Sequence, residues 1–288
     1  MVPHRLLPDL SDGVPGQDLS AVLGPGLGLP RPDPGAGDAA PPDGREMIVL
    51  DRVTKRYRSH GSGHSKLVLD ELNAVFESGR TVGILGRRGA GKSTLIRLIA
   101  GSIPPDSGRV LRQGRVSFLV GTAGPFVSTM TGRENVWFTA RIYGADATEV
   151  IRFVEAHSGI GADLDKPFSA YTGDKRSRLL FTTAYALPFD IYLADESVIG
   201  GPPGFRDWCE QLVDARRREA TLVFTTKRPR MLRRFADTGA ILSDARLTTY
   251  DSVRDTILAF KADDFAVDDE PPIDDEEDED DELPVPLP

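Results

Sequence analysis

Apolar residues recur along this chain in two rhythms, and the alternation between them predicts most of its elements. Short, nearly continuous apolar runs at 81–85, 116–120, 191–194, 221–224 and 239–242 read as buried strands. The stretches 47–53 and 68–76 are strand-like too, and they bracket a polar hairpin loop at 59–66 rich in Gly, Ser and His. Stretches with apolar residues three and four apart read as helices: 95–100, 131–143, 147–157, 175–187 and 205–220. Pro104, Pro105, Asp106, Ser107 and Gly108 form a turn signal ahead of a short extended piece at 109–111. Strands alternating with helices predict an α/β fold built on a mostly parallel sheet with helices on both faces.

Composition separates this patterned region from both ends. Residues 1–46 hold nine Pro and eight Gly, too little apolar surface to offset the entropy of ordering, and read as a disordered leader. Residues 263–288 carry 14 of the 44 acidic residues and none of the 35 basic ones, so they read as a solvated, disordered acidic tail. The folded unit is then 47–262. Removing the tail leaves 35 basic against 30 acidic residues, so the net charge of −9 belongs to the tail. No nucleic-acid partner is expected. The single cysteine, Cys209, excludes an internal disulfide and fits a small core residue in a reducing compartment. No apolar run approaches the roughly 18–20 residues that span a bilayer, and no secretory signal is visible. The expected location is cytoplasmic, with any membrane span supplied by a partner.

Chemistry enters with Gly86, Arg87, Arg88, Gly89, Ala90, Gly91, Lys92, Ser93 and Thr94, which fit the phosphate-binding loop G-x-x-x-x-G-K-[ST]. A predicted strand precedes the loop and a predicted helix follows it. Its glycines let backbone N–H groups turn toward phosphate oxygens, and the helix N-terminus adds partial positive charge. Lys92 is expected to reach the β- and γ-phosphates, and the Ser93 hydroxyl to hold Mg²⁺. A second pattern is the apolar run that ends in Asp195 and Glu196. Asp195 is the expected second metal ligand, and Glu196 is placed to polarise an attacking water as the catalytic carboxylate. Tyr57, about 30 residues before the loop, is either an adenine platform or a half-buried aromatic at a strand end. No Asn-Lys-x-Asp motif for reading guanine is present.

Two further stretches, Thr131-Gly132-Arg133-Glu134-Asn135 and Ala170-Tyr171-Thr172-Gly173-Asp174 followed by an arginine-rich helix, complete a pattern that resembles the nucleotide-binding subunits of ABC transporters. Within them, the resemblance is to the branch that exports capsular and related cell-surface polysaccharides (KpsT-like), and it covers about 47–250. It implies a P-loop NTPase fold with a RecA-like core, an antiparallel β-subdomain and a helical subdomain. It implies ATP and Mg²⁺ as cofactors, with Tyr57 stacked on adenine, and a head-to-tail pair of ATP-binding subunits docked on a membrane permease. Thr172 and Gly173 would contact the γ-phosphate held by the opposite subunit, and residues 120–145 would lie near the permease.

The sequence departs from that pattern around the γ-phosphate. Asp174 stands where the family carries glycine, and two unit charges about 4 Å apart at an effective dielectric of about 20 repel by about 4 kcal/mol. Lys175, Arg176 and Arg178 are candidates to offset that charge. Thr226 falls at the expected place of a histidine after the strand 221–224, Pro202 at that of an aspartate after Glu196, and no glutamine occurs in 119–126. These departures leave the binding elements intact and predict slow hydrolysis. Two readings follow: the ATP-binding subunit of a polysaccharide exporter, or a non-hydrolysing regulatory or scaffold subunit or the degenerate half of a mixed ATPase pair. A soluble P-loop kinase would need an acceptor-binding or lid motif, and none is recognisable.

Overall fold

Strand β3 (Thr81–Leu85) is buried at all five positions, and the rest of the molecule is arranged around it. In a computed structural model, which describes residues 46–58 and 65–265, β3 sits inside a six-stranded sheet of order β5-β6-β7-β3-β8-β9. The sheet is made of β5 (Val116–Val120), β6 (Ile191–Asp195), β7 (Thr221–Thr226), β3, β8 (Thr238–Ser243) and β9 (Arg246–Tyr250). The first five pair in parallel, and β9 closes the edge antiparallel to β8. A separate antiparallel sheet of order β2-β1-β4 is formed by β1 (Glu46–Arg58), β2 (Ser65–Glu77) and β4 (Ser107–Arg112). The leader up to residue 45, the loop 59–64 and the tail from 266 lie outside the described residues.

Because side chains alternate across a strand, the parallel sheet serves two cores at once. Ile191 and Leu193 of β6, Val82 and Ile84 of β3, and Val223 of β7 join one cluster with the antiparallel sheet and with α1 (Lys92–Ile99). Tyr192 and Ala194 of β6, with Leu222 and Phe224 of β7, face the other way. There they meet α2 (Gly132–Ile142), α3 (Ala147–His157), α4 (Gly173–Ala186) and α5 (Pro203–Arg216). Helices α2 and α3, two 3-10 turns at 161–165 and 168–170, and the start of α4 make up the helical part.

Helix α2 starts where the sequence places it, with a capping box behind the boundary. The Thr131 side chain accepts from the Glu134 N–H, and the Glu134 carboxylate accepts from the Thr131 N–H. Buried Asn135 then braces the preceding loop, accepting from the Val127 N–H and donating to the carbonyls of Val127, Met130 and Thr131. Three elements are absent from the sequence reading: α6 (Pro229–Phe235), β9 and α7 (Val253–Phe265). Strands β8 and β9 turn on Asp244 and Ala245, both in the left-handed region at φ 49° and 61°. Neither residue is the Asn-Gly or Asp-Gly that announces such a hairpin in a sequence. Helix α7 runs to Phe265, past the expected domain end at 262, and β1 begins at Glu46, inside the expected leader.

Candidate functional site

The three strands at the centre of the parallel sheet end side by side. Leu85 of β3 pairs with Thr226 of β7, and Thr225 of β7 pairs with Asp195 of β6. Each chain leaves its strand under a backbone hydrogen bond to β7: Gly86 N–H donates to the Thr226 carbonyl at 3.2 Å, and Glu196 N–H to the Thr225 carbonyl at 3.0 Å. The loop 86–91 and the Asp195–Glu196 pair are thereby held on either side of one strand.

Two glycines in the loop are dictated by space and torsion. Gly91 adopts φ 104°, and a Cβ there would come within 2.9 Å of Val68 Cγ1. A Cβ on Gly86 would meet the Leu242 backbone carbonyl at 2.8 Å. The loop therefore wraps against β2 and β8, and α1 begins directly at Lys92 with the Leu95 N–H donating to the Gly91 carbonyl. Arg87, Arg88 and Gly89 are exposed, Ala90 and Thr94 half-buried, and the Ser93 hydroxyl faces solvent in the first turn of α1.

Lys92 is buried, and its ammonium donates to the carbonyls of Gly86 at 2.8 Å and Arg87 at 3.0 Å. Glu196 Oε1 lies 3.8 Å from it. Burial depresses the Lys92 pKa, while the carboxylates of Glu196 and Asp195 oppose that shift. Asp195 accepts a 2.6 Å hydrogen bond from the Thr225 hydroxyl, which orients one oxygen and leaves the other for a ligand. Glu196 is half exposed and sits at φ 63°, a torsion that costs a non-glycine residue about 1 kcal/mol or more. Among the described residues no cluster of three metal-ligating side chains occurs. One carboxylate and one hydroxyl fit Mg²⁺, which keeps waters and takes its remaining oxygens from substrate phosphates.

Thr226 is the last residue of β7. It is buried, and its hydroxyl accepts from the Arg228 N–H at 3.0 Å. The first side chain to leave β7 into solvent is Lys227, whose charge lies near enough to Lys92 to push the Lys92 pKa down further. Strand β7 thus runs on through Thr226, two residues past the expected end at Phe224. The apolar run had marked its end at Phe224, and two buried threonines that extend it carry no apolar signal.

Thr172, Gly173 and Asp174 are all exposed, at the N-terminus of α4. The helix starts at Gly173, two residues before its expected start, with Thr172 as N-cap making no side-chain cap bond. A Cβ on Gly173 would meet nothing within 4 Å. The cations expected to offset Asp174 are engaged elsewhere. Lys175 pairs with Asp163, Arg176 donates to the Ser169 carbonyl and lies over Phe168, and Arg178 lies 4.9 Å over the Phe205 ring. Asp174 has no ion pair among the described residues, and it stands where a helix dipole favours a carboxylate. Pro202 is the N-cap of α5, its carbonyl accepting from the N–H groups of Phe205 and Arg206. Tyr57 closes β1 with 43 % of its surface exposed and Lys55 5.8 Å from its ring. Its ring is partly buried and partly accessible, as either reading requires.

Comparison with known proteins agrees with this architecture. A family model described as ABC transporter matches residues 69–198. The chain is 36 % identical over 220 residues to the polysialic acid transport ATP-binding protein KpsT of Escherichia coli, covering 75 % of this chain and 100 % of KpsT. It is 32 % identical over 207 residues to the capsule polysaccharide export ATP-binding protein CtrD of Neisseria meningitidis serogroup B, covering 72 % of this chain and 95 % of CtrD. A solved ATP-binding subunit of an ABC transporter shares the fold with a TM-score of 0.62 at 19 % identity, covering 77 % of this chain and 100 % of that one. No helix among the described residues is long and apolar enough to cross a membrane. A phosphate loop and a paired acidic strand end gathered around β7, together with full-length likeness to KpsT, establish that this chain belongs to the ATP-binding subunits of ABC transporters, in the branch that includes KpsT and CtrD.

Proposed function

We propose that this chain is the ATP-binding subunit of an exporter of capsular or related cell-surface polysaccharide, with residues 47–262 as its working unit. The observation that carries this reading is the match along the whole of KpsT by a chain whose loop, Lys92, Asp195 and Glu196 lie together at the ends of the central strands. ATP lies along residues 86–94 with its adenine on Tyr57. Lys92 exchanges its bonds to the Gly86 and Arg87 carbonyls for phosphate oxygens, which restores partners to a buried cation. Ser93 and Asp195 hold Mg²⁺, which supplies charge neutralisation at the phosphates when bound. Glu196 orients the attacking water and accepts its proton.

Lys227, next to both strand ends, supplies positive charge toward the third phosphate. A second subunit brings Thr172 and Gly173 against that phosphate from across the interface, and Asp174 weakens this contact, so turnover is slow. The working complex sits on the cytoplasmic face of the membrane, bound to a permease. The exposed apolar side chains Val127, Trp137, Phe138 and Ile142, within the expected 120–145 region, offer the docking face.

Nucleotide titration of Lys92→Ala beside Glu196→Gln tests the core of this reading. The alanine variant is expected to lose ATP binding by about 10²-fold, and the glutamine variant to bind ATP normally while losing at least about 10²-fold in turnover. Unchanged ATP affinity in Lys92→Ala would refute the assignment of the loop.

A further inference from the structure

A groove of about 370 Å³ opens beside the phosphate loop, shares residues 87–90 with it, and is otherwise lined by residues of β2, the 243–245 turn and α7 that the nucleotide reading does not use. Its lining includes Arg87, Arg88 and Ala90 of the loop, Lys66 of β2, the Asp244 turn and Phe260 of α7. Three cations and one carboxylate line it. Lys66, Arg87 and Arg88 are all exposed. The Asp244 turn is anchored to β2 by the Asp70 N–H donating to the Ala245 carbonyl at 2.8 Å, so the walls are held in place.

The same chain supplies a complementary segment. Residues 266–288 hold twelve acidic side chains and no basic one, nine of them in unbroken succession from Asp274 to Glu282. They follow directly on α7, which ends at Phe265. Phe265 is five positions beyond Phe260, about 7.5 Å of helix rise, so the tail leaves the helix next to the groove. The eight intervening residues, 266–273, can span up to about 29 Å, enough to lay the acidic run along the groove.

We propose that the acidic tail of this chain docks in this groove, against Lys66, Arg87 and Arg88, and competes with nucleotide for the phosphate loop. A carboxylate run is a ready surrogate for a polyphosphate at exposed arginines. Tethering holds it at an effective concentration near the millimolar range, so weak binding suffices. Attraction between exposed charges fades beyond about 8 Å at physiological salt, so docking tightens at low ionic strength and dissolves at high. The competition rests on the nucleotide site proposed above, whereas the docking does not.

The test compares the full chain with a chain ending at Phe265 and with a full chain whose acids 274–282 are changed to Asn and Gln. Amide hydrogen exchange is followed at 87–90 and 243–246 in 50 mM and 500 mM salt, and ATP affinity is titrated in the same buffers. Docking predicts slower exchange at both segments in the full chain only, at low salt only. Competition predicts that truncation and neutralisation both tighten ATP binding about 2- to 10-fold at low salt, with no difference at high salt. Equal exchange in all three chains, or a difference that survives 500 mM salt, overturns docking. Protection that grows with protein concentration overturns the intramolecular form and assigns the groove to the tail of a second copy. Slower exchange with equal affinity overturns the competition. If no chain binds ATP, the functional reading fails while the exchange comparison still decides docking.

Discussion

Lys92, Glu196 and Lys227 place two cations and a carboxylate around one strand end, and the balance between them sets what the site can hold. Lys92 is strained electrostatically by burial and relieved by Glu196, so an anion entering near it gains more than it would at a solvated lysine. Lys227 adds a second permanent charge. Lys227→Ala is expected to weaken ATP binding by about 10-fold while leaving ADP nearly unchanged, and Lys227→Arg to restore the preference. Competitive titration of the two nucleotides reads this out. An unchanged ATP-to-ADP ratio in Lys227→Ala would show that Lys227 does not face the third phosphate.

At the scale of elements, the N-terminus of α4 is held through Asp163. Its carboxylate pairs with Lys166 and with Lys175, and its carbonyl accepts from the Tyr171 hydroxyl at 2.7 Å. The bonds from Lys166 and then Lys175 hold the Asp163 carboxyl down at about 2. A carboxyl depressed in the folded state stabilises above its unfolded pKa, about 3.9, and loses that contribution as pH falls through its folded value. Asp163→Asn is therefore expected to lower the melting temperature by a constant amount between pH 5 and 8, with the gap to wild type closing from about pH 4 down to about pH 2. A gap that is the same at pH 3 as at pH 7 would show that the ion pairs contribute nothing. The same pairing explains a misjudged compensation. Lys175 is adjacent to Asp174 in sequence, but a helix turns successive side chains about 100° apart, and Lys175 is drawn to Asp163 instead.

For the molecule as a whole, the exposed Thr172–Asp174 corner makes no side-chain hydrogen bond or ion pair among the described residues. A subunit pair closed by ATP would bring Asp174 against a phosphate, and its repulsion would persist in both sites of an identical pair. Asp174→Gly is expected to raise ATP-dependent dimer formation and turnover, each by about 10-fold or more, measured by sedimentation with Glu196→Gln as the trapping background and by phosphate release. No change in either would mean that Asp174 does not meet the phosphate. The glycine also removes a favourable charge from the first turn of α4, so a small loss in monomer stability, about 0.5 kcal/mol, should accompany the gain.

Much of this protein could be read from the order of its residues, because the strongest signals are local. The phosphate loop, the apolar strand before it and the acidic pair after β6 each encode their conformation within a few positions, through glycine torsions and strand burial. The capping box at Thr131 and Glu134 likewise fixes the start of α2 without help from elsewhere. What the sequence did not disclose depends on neighbours distant along the chain. Strand β7 extends through Thr225 and Thr226 because β6 and β3 pair with it on either side, and that extension leaves Lys227 as the first exposed residue after the strand. The Asp244 turn survives without glycine because the β8–β9 pairing and its anchor to β2 hold the torsions. The engagement of Lys175, Arg176 and Arg178 away from Asp174 is decided by which rings and carboxylates the fold brings to them. Sequence alone therefore determined which chemistry this chain carries, since that chemistry is written in contiguous residues. Only the tertiary structure decided which charges face one another, because electrostatic partners are chosen by distance in space.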